Sequence, residues 1–346
     1  MITPKLIVLP ILAALITYLL IPVVRRLSEK VGSLDTPNER KNHKEVTPSS
    51  GGVAIFFGFL IAALFFNRTS PEILGFLIGG TVITGIGLLD DIFDLPPVTK
   101  FFGQVLAALI VIYSGVRIEF VGNPTDGGLI NLGFLSLPFT FIWIVGIANA
   151  INFLDGLDGL AAGVAGISAW TLGVVALLSG RPDAAVLAFT LGAASFAFLP
   201  YNFSDSNKKK IFMGDAGSNF LGYSLAVVSI MGMVKVAAAF SMLIPMLILA
   251  IPIFDTAFAI VRRLLKGKSP FEPDSSHLHH RILNKGYTHK QTALIIYGVN
   301  IILAVIAVAS THMTNPQAIA VFLITASVLF IFAWKMGILG VAGETK

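Results

Sequence analysis

The stretch from Ile73 to Asp94 reads ILGFLIGGTVITGIGLLDDIFD. No charged residue interrupts it between Ile73 and Leu89, and three aspartates then follow within five positions. An apolar run of this kind is close to what a helix needs to cross the hydrocarbon core of a bilayer. The stretch therefore predicts a membrane helix with a cluster of carboxylates at one end.

The rest of the chain has the same apolar character. Of its 346 residues 55% are hydrophobic and only 12% are charged, and the mean hydropathy is +0.84, whereas soluble domains have about 25% charged residues. Because cysteine is absent, disulfides, zinc–thiolate sites and a cysteine nucleophile are excluded. In a membrane protein, a net charge of +5 usually reflects lysines and arginines in the cytoplasmic loops. The charge therefore gives no reason to expect a nucleic-acid partner.

The spacing of the apolar segments predicts an all-α integral membrane protein, a bundle of about 11 transmembrane helices with the N-terminus outside and the C-terminus cytoplasmic. In this arrangement only five of the 24 Lys and Arg residues fall in outer loops, as the positive-inside rule requires. The first apolar run lacks a cleavage site, so we expect it to be retained. The expected segments are 4–24, 49–66, 72–89, 100–114, 136–151, 159–179, 184–200, 216–233, 236–262, 291–311 and 316–336.

We expect one polytopic membrane domain over residues 1–346, without internal repeats. In one outer loop, apolar and charged residues alternate in the segment from Val116 to Val121, a turn is expected at Asp126 to Gly128, and the chain returns from Leu129 to Leu132. This pattern predicts a small outer β-hairpin. The acidic and histidine residues concentrate in the inner loops, which we expect to form the active site. These cytoplasmic loops are 25–48, 90–99, 152–158, 201–215 and 263–290.

The first acidic cluster is Asp90, Asp91 and Asp94. Three carboxylates so close together at a membrane helix end repel one another unless a cation is present. If the helix continues, their spacing places them on neighbouring helical faces. The alternative is a solvated helix end with acids at the membrane surface.

A second polar stripe recurs every three positions through Asn149, Asn152, Asp155 and Asp158. Amides and carboxylates in this pattern can bind a metal, a ribose or base edges, and the neighbouring glycines let the backbone approach a ligand. The alternative is capping of a helix end by Asn and Asp.

The third cluster surrounds Asp215, which opens a helix in the sequence Gly-Asp-Ala-Gly-Ser. Aspartate is common at helix starts as a cap, and the backbone donors there also suit phosphate. Three oxygen-rich clusters at one membrane depth favour Mg²⁺, which binds carboxylates and substrate phosphates. Separated histidines and absent thiols argue against zinc.

Two inner loops add cations. Lys44 follows Arg40, Lys41 and His43, and this loop either holds a phosphate or anionic headgroup or carries ordinary positive-inside charge. In the last large loop His277, His279, His280 and Arg281 would, if helical, suit pyrophosphate or sugar contacts. A His-x-His-His zinc site and surface histidines without a role are the alternatives there.

Asp255 lies alone in an apolar helix, where an acid is by default a functional residue. It either pairs with a loop cation or contacts substrate.

Taken together, the motifs resemble the polyprenyl-phosphate N-acetylhexosamine-1-phosphate transferase family, most of all its bacterial branch that transfers GlcNAc-1-phosphate to undecaprenyl phosphate. The resemblance covers most of the chain, with five motifs in family order. They are Asp35-x-Pro37-x-x-Arg40-Lys41-x-His43, Asp90-Asp91-x-x-Asp94, Asn149-x-x-Asn152-x-x-Asp155-Gly-x-Asp158-Gly, Gly214-Asp215-x-Gly217-Ser218 and His277-Leu278-His279-His280.

Taken with the patterns above, the resemblance implies a magnesium enzyme, with Mn²⁺ as a substitute, that uses UDP-GlcNAc and undecaprenyl phosphate among membrane lipid. It implies a multi-pass protein of the cell inner (plasma) membrane with its active site on the cytoplasmic face; whether it forms a homodimer is left open. The expected catalytic residues are Asp90, Asp91, Asp155 and Asp158, the expected substrate-binding residues are Lys44, Asn149, Asn152, His277, His279, His280 and Arg281, and the expected metal ligands are Asp91, Asn152 and Asp215.

Two other functions stay open at this point. A phospho-MurNAc-pentapeptide transferase, or another UDP-HexNAc-1-phosphate transferase, would carry related motifs, although the His-Leu-His-His-Arg form favours the GlcNAc-phosphate branch. A secondary transporter would also place acids in a membrane protein, but near the bilayer midplane and on both faces.

Overall fold

The computed structural model describes residues 4–35, 46–66, 70–122, 128–204, 206, 208–232, 242–269 and 277–335. This part of the chain is mostly helical, with two short strand pairs. The helices are α1 (Lys5–Val31), α2 (Gly52–Leu64), α3 (Pro71–Phe93), α4 (Pro97–Tyr113), α5 (Ser136–Leu154), α6 (Leu160–Leu178), α7 (Pro182–Asn202), α8 (Gly214–Gly232), α9 (Leu243–Ile248), α10 (Ala250–Leu265), α11 (Leu278–Leu283), α12 (His289–Ser310) and α13 (Asn315–Lys335).

Seven helical segments in the described ranges are long and apolar enough to cross a membrane. The prediction of a helical, multi-pass membrane protein is therefore confirmed. The segments are Lys5–Val31, Pro71–Phe93, Gly133–Leu154, Leu160–Leu178, Pro182–Asn202, His289–Ser310 and Asn315–Lys335.

Every expected apolar segment overlaps a helix, but the count of eleven spans is not confirmed. Gly52–Leu64 and Pro97–Tyr113 are apolar but have only 13 and 17 residues. The segment expected over 236–262 is not one helix in its described part, because α9 ends at Ile248 and α10 begins at Ala250. Pro252 explains the restart, since proline lacks a backbone N–H and is tolerated in the first turn of a helix.

The expected hairpin is present as an antiparallel strand pair. β3 (Phe120–Gly122) pairs with β4 (Leu129–Asn131), with Val121 opposite Ile130. A second antiparallel pair, β1 (Leu34–Asp35) with β2 (Thr47–Pro48), was not expected from the sequence. It ties the chain after α1 to the approach of α2.

Helix α8 forms the centre of the bundle and packs against α3, α5, α6, α7 and α2. Its residues from Ala216 to Ile230 are all buried. Where α8 crosses α5, Gly222 faces Ala148 so closely that an added Cβ would lie 2.6 Å from the Ala148 Cα. This close crossing brings the end of α5 beside the start of α8, one to two turns from the crossing point.

We expect Gly222→Ala to destabilise the fold by about 1–3 kcal/mol, the usual cost of overpacking, because the backbones of α5 and α8 must separate. Gly146→Ala is the matched control on α5, since Gly146 is exposed and an added Cβ there meets no atom of the described residues within 4 Å. Thermal unfolding of both variants in detergent measures the difference. Equal melting temperatures would show that the α5–α8 crossing tolerates a methyl group.

Candidate active site

A lysine joins two of the acidic clusters. The Lys100 Nζ lies 2.5 Å from Asp90 Oδ2 and 3.1 Å from Asp215 Oδ2. Asp90 is at the end of α3, Lys100 is in the first turn of α4 and Asp215 is in the first turn of α8. The ammonium group therefore holds three helix ends together and neutralises part of their negative charge.

Asp91 contacts the start of α8. Its Oδ1 accepts a hydrogen bond from the backbone N–H of Asp215 at 2.7 Å, and its Oδ2 accepts a longer one from Ala216 at 3.3 Å. Gly214, with φ of +73°, lies where a Cβ would collide with the Asp91 carboxylate. The helix-start donors that the sequence suggested for phosphate are thus occupied by Asp91.

The second polar stripe meets Asp215 from α5. The Asn152 Nδ2 donates to Asp215 Oδ1 at 3.0 Å and to Ser218 Oγ at 2.9 Å. Asp155 follows the last turn of α5, and burial raises the pKa of its carboxyl well above the usual 3.8, helped by the negative charges of Asp215 and Asp91. Asp91, Asp155 and Asp215, from three distant stretches of sequence, therefore converge at one end of the bundle.

Asn149 lies one turn before Asn152 within an amide network. Its Nδ2 donates to Gln104 Oε1 at 2.8 Å, and Gln104 Nε2 donates to Asn219 Oδ1 at 2.9 Å. Asn219 in turn donates to the backbone oxygen of Asp215 at 2.9 Å. The network links α4, α5 and α8 directly behind the acids.

The segment 155–159, here named the carboxylate loop, is fixed from several sides. Asp158 accepts a hydrogen bond from Lys210 Nζ at 2.6 Å. Gly159, with φ of +74°, donates its N–H to Asn202 Oδ1 and accepts from the Tyr297 hydroxyl, both at 2.5 Å. Helices α7 and α12 thus set the course of this loop.

The segment 277–281, here named the histidine segment, lies against the carboxylate loop. The His279 side chain is buried beside Gly156, where an added Cβ would lie 2.5 Å from the His279 Nε2. Neither ring nitrogen has a hydrogen-bond partner among the residues that the structure describes. Burial, and to a lesser degree His280, lowers the pKa of His279 to about 3, so its imidazole is neutral at physiological pH.

Two other histidines of the segment, His277 and His280, lie beside this ring. The His280 ring centroid lies 4.2 Å from that of His279. The Arg281 Nε is buried and has no hydrogen-bond partner within the described part of the chain. Of the two alternatives for Asp255, the structure shows pairing with the loop, since Asp255 Oδ2 lies 3.0 Å from His277 Nδ1.

Some expected residues do not join the cluster. Asp94 is exposed and ends α3 in the left-handed conformation, so the helix does not continue and the expected helical adjacency of the three acids does not extend to Asp94. Lys44 and the neighbouring Arg40, Lys41 and His43 lie outside the described residues.

The donor set suits a hard cation even though no three acidic or histidine side chains in the described ranges form a ready-made metal site. Mg²⁺ commonly binds through one or two carboxylates and completes its shell with water and substrate phosphates. Lys100 shows that a positive group is accommodated between Asp90 and Asp215. The carboxylate oxygens of Asp90 and Asp215 that flank that position are ligands of the kind that magnesium binds.

Sequence reasoning missed several residues of this region. Lys100 and Lys210 appear in the sequence as ordinary positive-inside charge, and Gln104 and Tyr297 as single polar residues in apolar helices. An intramembrane polar residue was the available signal, since such groups need a partner. Their partners lie far along the chain and could not be identified from spacing.

Comparison of the sequence with known proteins identifies the family of this chain. Residues 73–233 match the family model described as glycosyl transferase family 4. A probable undecaprenyl-phosphate N-acetylglucosaminyl 1-phosphate transferase of Bacillus subtilis is 38% identical, over 96% of this chain and 92% of the relative. A decaprenyl-phosphate N-acetylglucosaminephosphotransferase of Mycobacterium tuberculosis is 36% identical, over 92% and 85% respectively.

A further relative is an undecaprenyl-phosphate alpha-N-acetylglucosaminyl 1-phosphate transferase of Yersinia pestis, 30% identical over 84% of this chain and 80% of the relative. These matches cover nearly the whole described bundle and confirm the resemblance drawn from the five motifs. The chain therefore belongs to glycosyl transferase family 4, the polyprenyl-phosphate N-acetylhexosamine-1-phosphate transferases, and is a membrane enzyme that transfers a sugar phosphate.

Proposed function

We propose that the chain transfers GlcNAc-1-phosphate from UDP-GlcNAc to undecaprenyl phosphate, giving undecaprenyl-diphosphate-GlcNAc and UMP. The relatives' names support this acceptor and this sugar. The observation that carries the proposal is the convergence of three acids at the start of α8. The Lys100 ammonium joins Asp90 to Asp215, Asp91 accepts from the backbone N–H of Asp215, and Asn152 donates to the Asp215 side chain. Such a cluster suits two phosphate-bearing substrates.

The reaction is a direct phosphoryl transfer. An oxygen of the polyprenyl phosphate attacks the β-phosphorus of UDP-GlcNAc, and the bond from that phosphorus to the bridging oxygen breaks, so UMP leaves with the oxygen and its electron pair. A phosphate monoester has a second pKa of about 6, so the nucleophile is largely ionised at neutral pH. A strong general base is not needed, and Asp90 and Asp91 serve mainly as charge-bearing groups.

Repulsion between the two substrates is the larger obstacle, since their reacting atoms must approach to about 3–3.5 Å. Bound Mg²⁺ would neutralise charge on the phosphates, with Asp215 and Asp91 as the residues that hold it and Asn152 supporting Asp215. Lys100, on α4, lies beside the Asp90 and Asp215 carboxylates and is placed to bind a substrate phosphate. His279 lies against the carboxylate loop, where the donor's sugar or diphosphate would lie.

The proposal includes a location for the site. We place it on the cytoplasmic face of the inner membrane, in a protein with about 11 spans, an outer N-terminus and an outer β3–β4 hairpin. The positive-inside distribution supports this orientation. At that boundary the sugar nucleotide stays in water while the prenyl tail lies between helices.

The two rival functions fit less well. A transporter should have ionisable groups near the midplane, whereas Asp90, Asp155, Asp158 and Asp215 all lie at or beside helix ends on one side of the bundle. The MurNAc-pentapeptide branch differs in the sugar, which a direct assay distinguishes.

The purified protein should release UMP from UDP-GlcNAc when undecaprenyl phosphate is supplied, and EDTA should abolish the release. Added Mg²⁺ should restore it and Mn²⁺ should substitute, because carboxylate oxygens accept both ions. Chromatography of the nucleotides measures the reaction, and UDP-MurNAc-pentapeptide in place of UDP-GlcNAc is the control donor. Full turnover in EDTA would contradict the proposed metal requirement. Turnover with UDP-MurNAc-pentapeptide but not with UDP-GlcNAc would contradict the proposed donor sugar.

Asp215→Asn should lower kcat by about a hundredfold or more, the scale seen when an electrostatic group of an active site is removed. The substitution keeps the side-chain volume and loses the charge that faces Lys100 and the phosphates. Asp94→Asn is the matched control, since Asp94 is an exposed acid close to the cluster and asparagine tolerates its left-handed backbone. Size-exclusion chromatography checks that both variants are folded, and wild-type turnover by folded Asp215→Asn would refute the role of Asp215.

A further inference from the structure

Asp255 is a buried carboxylate whose two oxygens are both used. It lies in α10 with a relative exposure of 5%. Its Oδ2 accepts a hydrogen bond from His277 Nδ1 at 3.0 Å, and its Oδ1 accepts one from the backbone N–H of Leu278 at 2.8 Å. Two consecutive residues of the histidine segment are therefore held by one acid from another helix.

Such an arrangement has an energetic reason. A buried carboxylate is tolerated only when its oxygens are hydrogen-bonded, and removing one partner of a buried pair is costly because the other is left unsatisfied. Asp255 and His277 are both nearly inaccessible to solvent. The pair therefore keeps the start of the histidine segment in one place.

The pair holds the part of the histidine segment that packs against the carboxylate loop. The rings of His277 and His279 lie parallel, 5.9 Å apart, and His277 also lies 6.0 Å from the ring of Phe153. His279 continues from there to its place beside Gly156 in the carboxylate loop. Asp255 thus acts on that loop through two histidines without lying in it.

We propose that Asp255 is a positioning residue, which anchors His277 and thereby sets His279 against the carboxylate loop to form the binding wall for the UDP-sugar. This inference rests on the proposed function for the identity of the donor. Asp255 itself does not touch substrate, so its effect passes through His277. The prenyl phosphate, at the Asp90 and Lys100 side, should be unaffected.

A double-mutant cycle tests the proposal with Asp255→Asn, His277→Ala and the combination of both. Asparagine keeps the volume and an acceptor for Leu278, and loses the charge that fixes His277. We expect Asp255→Asn to raise the KM for UDP-GlcNAc about ten- to a hundredfold, the range expected when a binding group is misplaced, with the KM for undecaprenyl phosphate unchanged. In the His277→Ala background the same substitution should cause no further loss.

Thr256→Val is the matched control on the same turn of α10, because the Thr256 hydroxyl is buried with no hydrogen-bond partner in the described ranges and valine has the same shape. It should leave both KM values unchanged. A purely structural role for Asp255 would lower the amount of active enzyme, and so kcat, without changing the KM for UDP-GlcNAc. That result, or losses that multiply in the double variant, would overturn the proposal.

Chemical modification provides a second readout that does not depend on turnover. With diethyl pyrocarbonate and no substrate, His279 should be protected in wild type and Thr256→Val, and should react several-fold faster in Asp255→Asn, as measured by peptide mass spectrometry. An unchanged rate in folded Asp255→Asn would overturn the positioning role. If His279 is modified faster in Asp255→Asn but the wild type releases no UMP from UDP-GlcNAc, the positioning role stands and only the proposed function is refuted.

Discussion

Four carboxyl groups lie at one end of an apolar bundle, where like charges repel one another. They belong to Asp90, Asp91, Asp155 and Asp215. Around them lie an ammonium group between Asp90 and Asp215, two backbone N–H groups on Asp91 and an amide donor on Asp215. Asp155 is half-buried, and its pKa is raised. These contacts neutralise only part of the negative charge. A divalent cation would neutralise more of it and would let anionic substrates bind beside the acids.

The same contacts explain why the helices are arranged as they are. Helix α8 must begin beside the end of α3, because Asp91 caps its first turn, and beside the end of α5, because Asn152 reaches Asp215. The close crossing at Gly222 and the amide network through Gln104 keep those ends in register. Gly222 and Gln104 lie behind the acids and are not part of the acidic cluster. They nevertheless fix its geometry, because they hold the helices that carry it.

Much of this could be predicted from the sequence. Apolar length gave the helical membrane architecture, alternation near Val121 gave the β3–β4 hairpin, and acids recurring at one predicted membrane depth gave the convergence of Asp91, Asp155 and Asp215. The pairings that complete the site could not be predicted, since Lys100 with Asp215 and Asp255 with His277 are tertiary contacts without a local pattern. The break between α9 and α10 also lies within a continuous apolar run, where hydropathy alone gives no boundary.

The proposed mechanism depends on one hard cation shared by these distant carboxylates. Electron paramagnetic resonance of Mn²⁺ bound to the purified protein in the presence of UDP-GlcNAc can detect such an ion. We expect one tightly bound ion per chain with phosphorus hyperfine coupling in the wild type, and loss of that ion when Asp215 is replaced by asparagine. Unchanged Mn²⁺ binding by the folded variant would contradict it.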